Sequence, residues 1–454
     1  MSLEYNYYEL GDISDVKGGK RLPKGHNLIE TPNNHPYIKV KDMSNDKLLK
    51  LTEKFEYIEN ETFDQISQYT VKKSDLIVSI VGTIGLTNII DYSLDNANLT
   101  ENCAKITNLK EGYNIEFIYY YLNSNIGQNL IQKATVGAVQ KKLPIKNIRT
   151  LKMPFPNINI QNKIVKILST IDKKIEINKR INKNLEQYLF YLFNEYFMEF
   201  DFNEFSNSNK TIPSSWKLGC FNDIIDSLGS GDWGKEEQTG NYISEVYCIR
   251  GADIPDVKQG NKGKMPIRFI LPKNFEKRKL GENSIVIEIS GGSPTQSTGR
   301  TVFITDNFLN RFDKDIICTN FCKVINPTKE YAIFLYLYLN YLYDKDVMFA
   351  YENGTTGIKN FDIKSFISNF EIVIPSIEDI IKFNNLVQNV FDVIMHNGLE
   401  IEQLQKLRDT LLPKLMSGDI DVSKINCDMA KISRNNCNNM FTLTLQNNLI
   451  EVIS

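Results

Sequence analysis

The chain is written twice, and this duplication limits what it can fold into more than any other feature. Tyr8-Glu-Leu-Gly11 returns as Trp216-Lys-Leu-Gly219, and Asp75-Leu-Ile-Val-Ser-Ile-Val-Gly82 returns as Ser284-Ile-Val-Ile-Glu-Ile-Ser-Gly291. Ile38-Lys39 pairs with Ile249-Arg250, Asn102…Lys105-Ile106 with Asn320…Lys323-Val324, Phe117 with Phe334, and Pro156 with Pro375. The order is kept while the offset drifts only from 208 (216 − 8) to 219 (375 − 156), which marks one fold copied with small loop insertions. A chain of 454 residues is also too long for one ordinary core.

Each copy reads as a mixture of short apolar strands and a few helices, an α+β class. Strands are predicted over 76–81 and 285–289, ending at Gly-containing turns, and helices over 116–122 and 331–342. A proline-bounded strand closes each globular part, at 151–156 and 370–375, before a long helix begins.

Those long helices carry the sharpest periodicity. Ile164, Ile171, Asn178, Leu185 and Leu192 recur every seven residues, with a second row of Leu168, Ile175, Asn182 and Leu189. The same spacing returns as Phe383, Val390, Asn397, Leu404 and Leu411, asparagine included. A sevenfold repeat is a coiled-coil seam, and a polar residue inside it sets register at some cost in stability. Two similar globular parts joined this way favour an antiparallel pair in a pseudo-twofold arrangement, with Asn178 and Asn397 expected to meet, or to share a water, at its centre. A helix of about 36 residues is about 54 Å long, which makes it a spacer.

This organisation resembles the specificity subunit of Type I restriction-modification enzymes over residues 1–422. Leu407-Arg-Asp-Thr-Leu-Leu-Pro-Lys-Leu-Met-Ser-Gly-Asp-Ile-Asp-Val422 is similar to the ending of many such subunits. Ser79-Ile-Val-Gly-Thr-Ile-Gly85 and Gly137-Ala-Val-Gln-Lys-Lys-Leu-Pro-Ile145 are similar to parts of the family's target recognition domains. The resemblance implies two such domains (1–157 and 214–375), helical spacers at 158–200 and 376–416, a linker at 201–213, and a tail at 417–454. It also implies that each domain reads one half of a split double-stranded DNA target. The helices would set the gap and dock two methyltransferase subunits, which bind S-adenosylmethionine and methylate adenine. A translocase-nuclease subunit joins such complexes. The Asn-rich stretch 423–454 departs from the family pattern, with a short helix around 440–453 as one expectation.

The same resemblance implies no active site in this chain, and the residues agree. Gly229-Ser-Gly-Asp-Trp-Gly-Lys235 matches seven positions of a phosphate-binding loop, but Glu236 stands where Ser or Thr should hold Mg²⁺, and a carboxylate there repels phosphate. The segment reads instead as a flexible loop. Asn326-Pro-Thr lacks the second proline and the aromatic of an adenine methyltransferase motif, and Asp172-Lys-Lys174 fits a nuclease pattern only by chance. His26, His35 and His396 have no plausible nucleophile beside them. Seven scattered cysteines read as reduced, buried thiols rather than a disulfide or zinc framework. No metal or cofactor is expected in the chain itself. A soluble, cytoplasmic protein is expected from the absence of long apolar stretches and of a signal-like N-terminus.

A net charge of −2 argues against a protein that coats DNA with positive charge, but not against one whose lysines are local. Candidate DNA contacts in the first copy are Lys17, Lys20, Arg21, Lys24, Lys39, Lys41, Thr83, Gln140, Lys141 and Lys142. Glycines 18 and 19 are expected to let backbone approach the duplex. In the second copy the candidates are Ser230, Trp233, Lys235, Arg250, Ser293, Thr295, Gln296, Lys359 and Asn360. Rival readings are a specificity subunit serving a fused methyltransferase-nuclease, a protein-binding scaffold with a helical strut, and a nucleotide hydrolase, the last weakened by Glu236.

Overall fold

A computed structural model describes residues 5–138, 140–198, 212–291, 293, 296–354 and 359–422. The expected tail helix, Thr295 and nearly all of the 201–213 linker lie outside them. The chain divides into two compact units, Met1–Asp172 with Lys406–Ser454, and Lys173–Gln405. Each takes in one end of both long helices, Ile158–Phe197 and Ile377–Ser417.

In the first unit a five-stranded sheet runs in the order Asp15–Gly18, Cys103–Thr107, Leu76–Ser79, Thr87–Ile90, Leu48–Leu49. All neighbours are antiparallel except the last pair. A smaller sheet orders Glu56–Tyr57, Pro36–Ile38 and Asn98–Leu99. The second unit has the same plan: Ile225–Ser230, Cys322–Pro327, Ile285–Glu288, Thr301–Phe303 in one sheet, and Ile267–Ile270, Ser244–Ile249, Ile316–Cys318 in another. The central strands Leu76–Ser79 and Ile285–Glu288 are buried along their whole length, which explains their unbroken apolar runs. An antiparallel ribbon closes each globular part, Asn6–Glu9 with Lys152–Phe155 and Lys217–Cys220 with Glu371–Ile374. The α+β class holds for each unit.

Strand register sharpens the internal repeat. Val16 and Leu76 both face Ile106, while Leu228 and Ile285 both face Ile325. Ile106 therefore corresponds to Ile325, not to Val324. Near the start of each copy, buried Leu10 and Ile13 correspond to buried Phe221 and Ile224, whereas Leu218 is exposed. The shared Leu-Gly dipeptide suggested a different match. Duplicated folds preserve burial more faithfully than residue identity.

The long helices start at matching caps. Asn157 Oδ1 accepts from the Ile160 N–H at 3.1 Å, and Ser376 Oγ from the Asp379 N–H at 3.3 Å. Each follows a proline and satisfies a donor the helix cannot pair internally. The second helix stops at Gly418, whose φ of +82° favours glycine.

Within the second unit the two helices run antiparallel, but the asparagines pair differently from expectation. Asn397 Nδ2 donates to Asn182 Oδ1 at 2.8 Å, and Asn178 Nδ2 donates to Glu400 Oε2 at 2.7 Å. No direct hydrogen bond joins Asn178 to Asn397. In an antiparallel pair the first row of one seam faces the second row of the other, so Asn397 is met by Asn182, one turn beyond Asn178. Asn182 Nδ2 also donates to the carbonyls of Gln259 and Ile394, tying a globular loop to the seam. Asn182→Leu strands these buried acceptors and the Asn397 amide; a loss of about 1–3 kcal/mol in chemical unfolding is expected. An unchanged midpoint would remove the network from the account.

In the first unit Asp172 accepts from Tyr120 Oη at 2.6 Å and from Arg408 Nη1 at 3.1 Å. The carboxylate that mimicked a nuclease motif thus holds two helices to a globular face. Cys103, Cys248, Cys318 and Cys322 are free and buried, whereas Cys220 is half-buried, contrary to expectation. Burial pushes the Cys103, Cys248 and Cys322 thiols up to about 12. Among the described residues no helix is long and apolar enough to cross a membrane.

A candidate nucleic-acid interface

Antiparallel strands deliver their loops to one edge of each main sheet. In the first unit Gly18 lies beside Ala104, Cys103 beside Ser79, and Val78 beside Thr87. The segments after 18, after 79 and before 103 therefore gather there. Three further contacts extend the edge. Tyr37 Oη donates to the Lys20 carbonyl at 2.7 Å, which brings in Lys39 and Lys41 just beyond Pro36–Ile38. The Thr100 N–H donates to the Ile38 carbonyl at 3.0 Å. Lys142 bridges to both Val81 and Val136, placing Val136 and Lys142 against the turn that carries Thr83.

Lys20, Arg21, Lys39, Lys41, Thr83 and Lys142 thus come to one edge, with Lys24, Gln140 and Lys141 exposed in the same loops. Lys17 stays on its strand, opposite Lys105, and pairs with Asp15 at 3.0 Å. A concavity of about 340 Å³ is lined by Arg21, Tyr37, Lys39, Lys41, Glu101 and Asn102, among others. Arg21 pairs with Glu101 at 2.8 Å, while Lys39 and Lys41 share Glu56. One carboxylate for two ammonium groups leaves positive charge in the concavity. Burial, followed by the neighbouring Lys41, pushes Lys39 down to about 8.

The second unit repeats the edge with different side chains. Ser230 lies beside Lys323, Glu288 beside Cys322, and Ile287 beside Thr301. The Thr319 N–H donates to the Ile249 carbonyl at 2.9 Å, which brings in Arg250. Ser290 pairs with Asn360 across a small antiparallel sheet, which brings in Lys359. Here the cations are already engaged. Arg250 forks onto Asp253 at 2.8 and 3.0 Å, and Arg300 onto Glu288 at 2.8 and 2.6 Å. Lys359 pairs with Glu352 at 2.8 Å, Lys323 donates to Ser230 at 2.6 Å, and Lys235 lies 5.6 Å from the Tyr242 ring centroid. Gln296 Nε2 lies 3.4 Å from Tyr343 Oη, and the Ser293 N–H donates to the Gln296 carbonyl at 2.7 Å. Local pairing of this kind explains how a near-neutral chain presents cations at one edge.

Two expectations change here. A Cβ on Gly19 would collide with the carbonyl oxygens of Leu99 and Thr100, and one on Gly231 with those of Cys318 and Thr319. At Gly19, and at its counterpart Gly231, the lack of a side chain serves a strand crossing inside the fold. The segment around Gly229–Lys235 is likewise not a loose loop: it begins in a strand, crosses at Gly231, and pairs with Phe269 through Lys235.

Three residues at this edge are not signalled by the sequence. Phe321 is 52% exposed, although its carbonyl accepts from the Ile289 N–H at 2.9 Å. Asn102 holds the same place in the first unit, accepting from Ile80 at 2.8 Å. Matching Asn102 with Asn320 in the repeat hides this aromatic. Arg268 and Arg300 sit in or beside apolar strands and form no charge cluster in the sequence.

Comparison with known proteins places this architecture. The sequence model of the Type I restriction modification DNA specificity domain matches residues 3–187. The chain is 26% identical over 445 residues to the Type I restriction enzyme MjaIX specificity subunit of Methanocaldococcus jannaschii, covering 93% of this chain and 95% of that one. It is 23% identical over 486 residues to the HindI specificity subunit of Haemophilus influenzae, covering 92% and 100%. Its fold is similar to that of the Type I restriction-modification S subunit from M. genitalium, with a TM-score of 0.53 and 17% identity over 91% of this chain and 96% of that one. Residues 3–187 thus match the Type I restriction modification DNA specificity domain, and over more than nine-tenths of its length the chain is similar to specificity subunits of Type I restriction enzymes.

Proposed function

We propose that this chain is the non-catalytic subunit that chooses the DNA target of a Type I complex, each unit reading one half of a split double-stranded site. The observation that carries this reading is the duplicated loop edge: the same strand ends gather in both units, but the side chains differ. A scaffold for two half-sites of unlike sequence needs a constant frame and variable loops. Phosphate contacts would position the edge, from Lys20, Lys24, Lys141 and Lys142. Base contacts would come from residues such as Thr83, Gln140, Gln296 and Asn360.

The long helices would set the unspecified gap and dock two adenine methyltransferase subunits that bring S-adenosylmethionine. A restriction subunit would join the same cytoplasmic complex. No step of the methyl transfer falls to this chain.

Lys20→Ala tests the phosphate role. Duplexes of any sequence should bind more weakly, and the slope of log K against log salt should fall by about 0.9 for each phosphate that is no longer neutralised. A weakening confined to one sequence, or an unchanged slope, would remove Lys20 from the interface.

A further inference from the structure

At the second unit's edge, Trp233, Arg268 and Glu236 form a small assembly that the contacts above leave unused. The 233–236 segment is fixed along the strand Ile267–Ile270, since Lys235 and Phe269 exchange two backbone hydrogen bonds of 2.9 Å. The Arg268 guanidinium lies 3.7 Å from the Trp233 ring centroid. Glu236 Oε1 is 3.0 Å from Arg268 Nη1. The two ends of this ion pair are very unequal: the Arg268 side chain is 7% exposed and that of Glu236 is 84% exposed. The buried Nε of Arg268 has no hydrogen-bond partner among the described residues.

A guanidinium held out of water needs its donors met, and an exposed carboxylate competing with solvent meets them weakly. Stacking on the indole fixes the guanidinium plane, so an incoming anion encounters a fork already aimed, as phosphate recognition requires. Trp233 is itself 37% exposed, leaving room for a sugar-phosphate chain beside it. Glu236 is also the residue that spoils the phosphate-loop pattern in the sequence. In the folded chain its carboxylate rests against the Arg268 guanidinium.

We propose that Arg268 and Trp233 form a site for a DNA backbone phosphate, closed in the free chain by the Glu236 carboxylate and opened when a phosphate displaces it. The proposal rests on the assignment of this edge to DNA. Glu236 then acts as a built-in competitor that suppresses binding to duplexes unable to seat a phosphate here.

The test measures binding of a labelled mixed-sequence duplex to the full chain across a salt series. Glu236→Gln keeps size and removes charge; affinity should rise about 3- to 10-fold and the salt slope should steepen by about one phosphate's worth. Glu237→Gln removes the neighbouring exposed carboxylate and should give a clearly smaller gain. Adding Arg268→Lys to Glu236→Gln should abolish the gain, because an ammonium lacks the fork. Equal gains from the two glutamate variants, or no gain from Glu236→Gln while the unaltered chain binds, would overturn the site and leave the DNA assignment standing. Failure of the unaltered chain to bind any duplex would overturn both.

Discussion

Phe193→Ala is expected to lower the stability of the second unit by about 3–5 kcal/mol, the range for truncating a large buried aromatic ring. Phe193 belongs to the first long helix and is 0% exposed. Its ring lies 5.6 Å from Phe197, 5.8 Å from Phe334 and 5.8 Å from Tyr338, centroid to centroid. These partners come from the helix itself and from Ala332–Asp344, so the cavity would open where helix and globular part join. The neighbours cannot collapse without moving a helix. Urea unfolding should show a lower midpoint at nearly constant slope. Tyr191→Ala, two positions away and 59% exposed, should change stability by no more than about 0.5 kcal/mol. Equal losses from the two would mean that the helix is not seated as described.

Gly231→Ala should also be costly, against the usual sign for such a change. Where the backbone suits alanine, replacing glycine typically stabilises by about 0.4–1 kcal/mol through the unfolded chain. Here the added Cβ would run into the backbone carbonyls of Cys318 and Thr319, which cannot step aside as a side-chain tip can. A net loss of about 1–3 kcal/mol is expected, the range for overpacking. The strand crossing carries Asp232 and Trp233 onto the loop edge, so DNA binding through the second unit should fall as well. Gly19→Ala should do the same through the first unit. A stabilised Gly231→Ala protein with normal binding would show that the crossing is looser than the structure has it.

Much of the architecture was legible because duplication and sevenfold spacing are long-range patterns that no single residue can counterfeit. Strands such as Leu76–Ser79 announced themselves through unbroken apolar runs. The partner of Asn397 was not legible from the repeat alone. Spacing shows that Asn178 and Asn397 are equivalent, whereas the direction of packing decides which residues meet. Glycines 18 and 19 were visible but ambiguous, since a close approach to DNA and a close approach to the chain's own backbone leave the same mark in a sequence. Phe321 and Arg268 were hidden for opposite reasons, one an apolar residue left exposed and the other a cation nearly buried. Solvent exposure belongs to the tertiary fold, and neither residue breaks a local pattern.

Co-expression of this chain with a Type I methyltransferase subunit, followed by mapping of methylated adenines across a host genome, tests the central claim most directly. A split motif should emerge, with two specified parts around a fixed unspecified gap. Exchanging the loops at one unit's edge should change one part and leave the other intact. Methylation that is independent of this chain, or a motif altered in both parts by changes to a single unit, would contradict it.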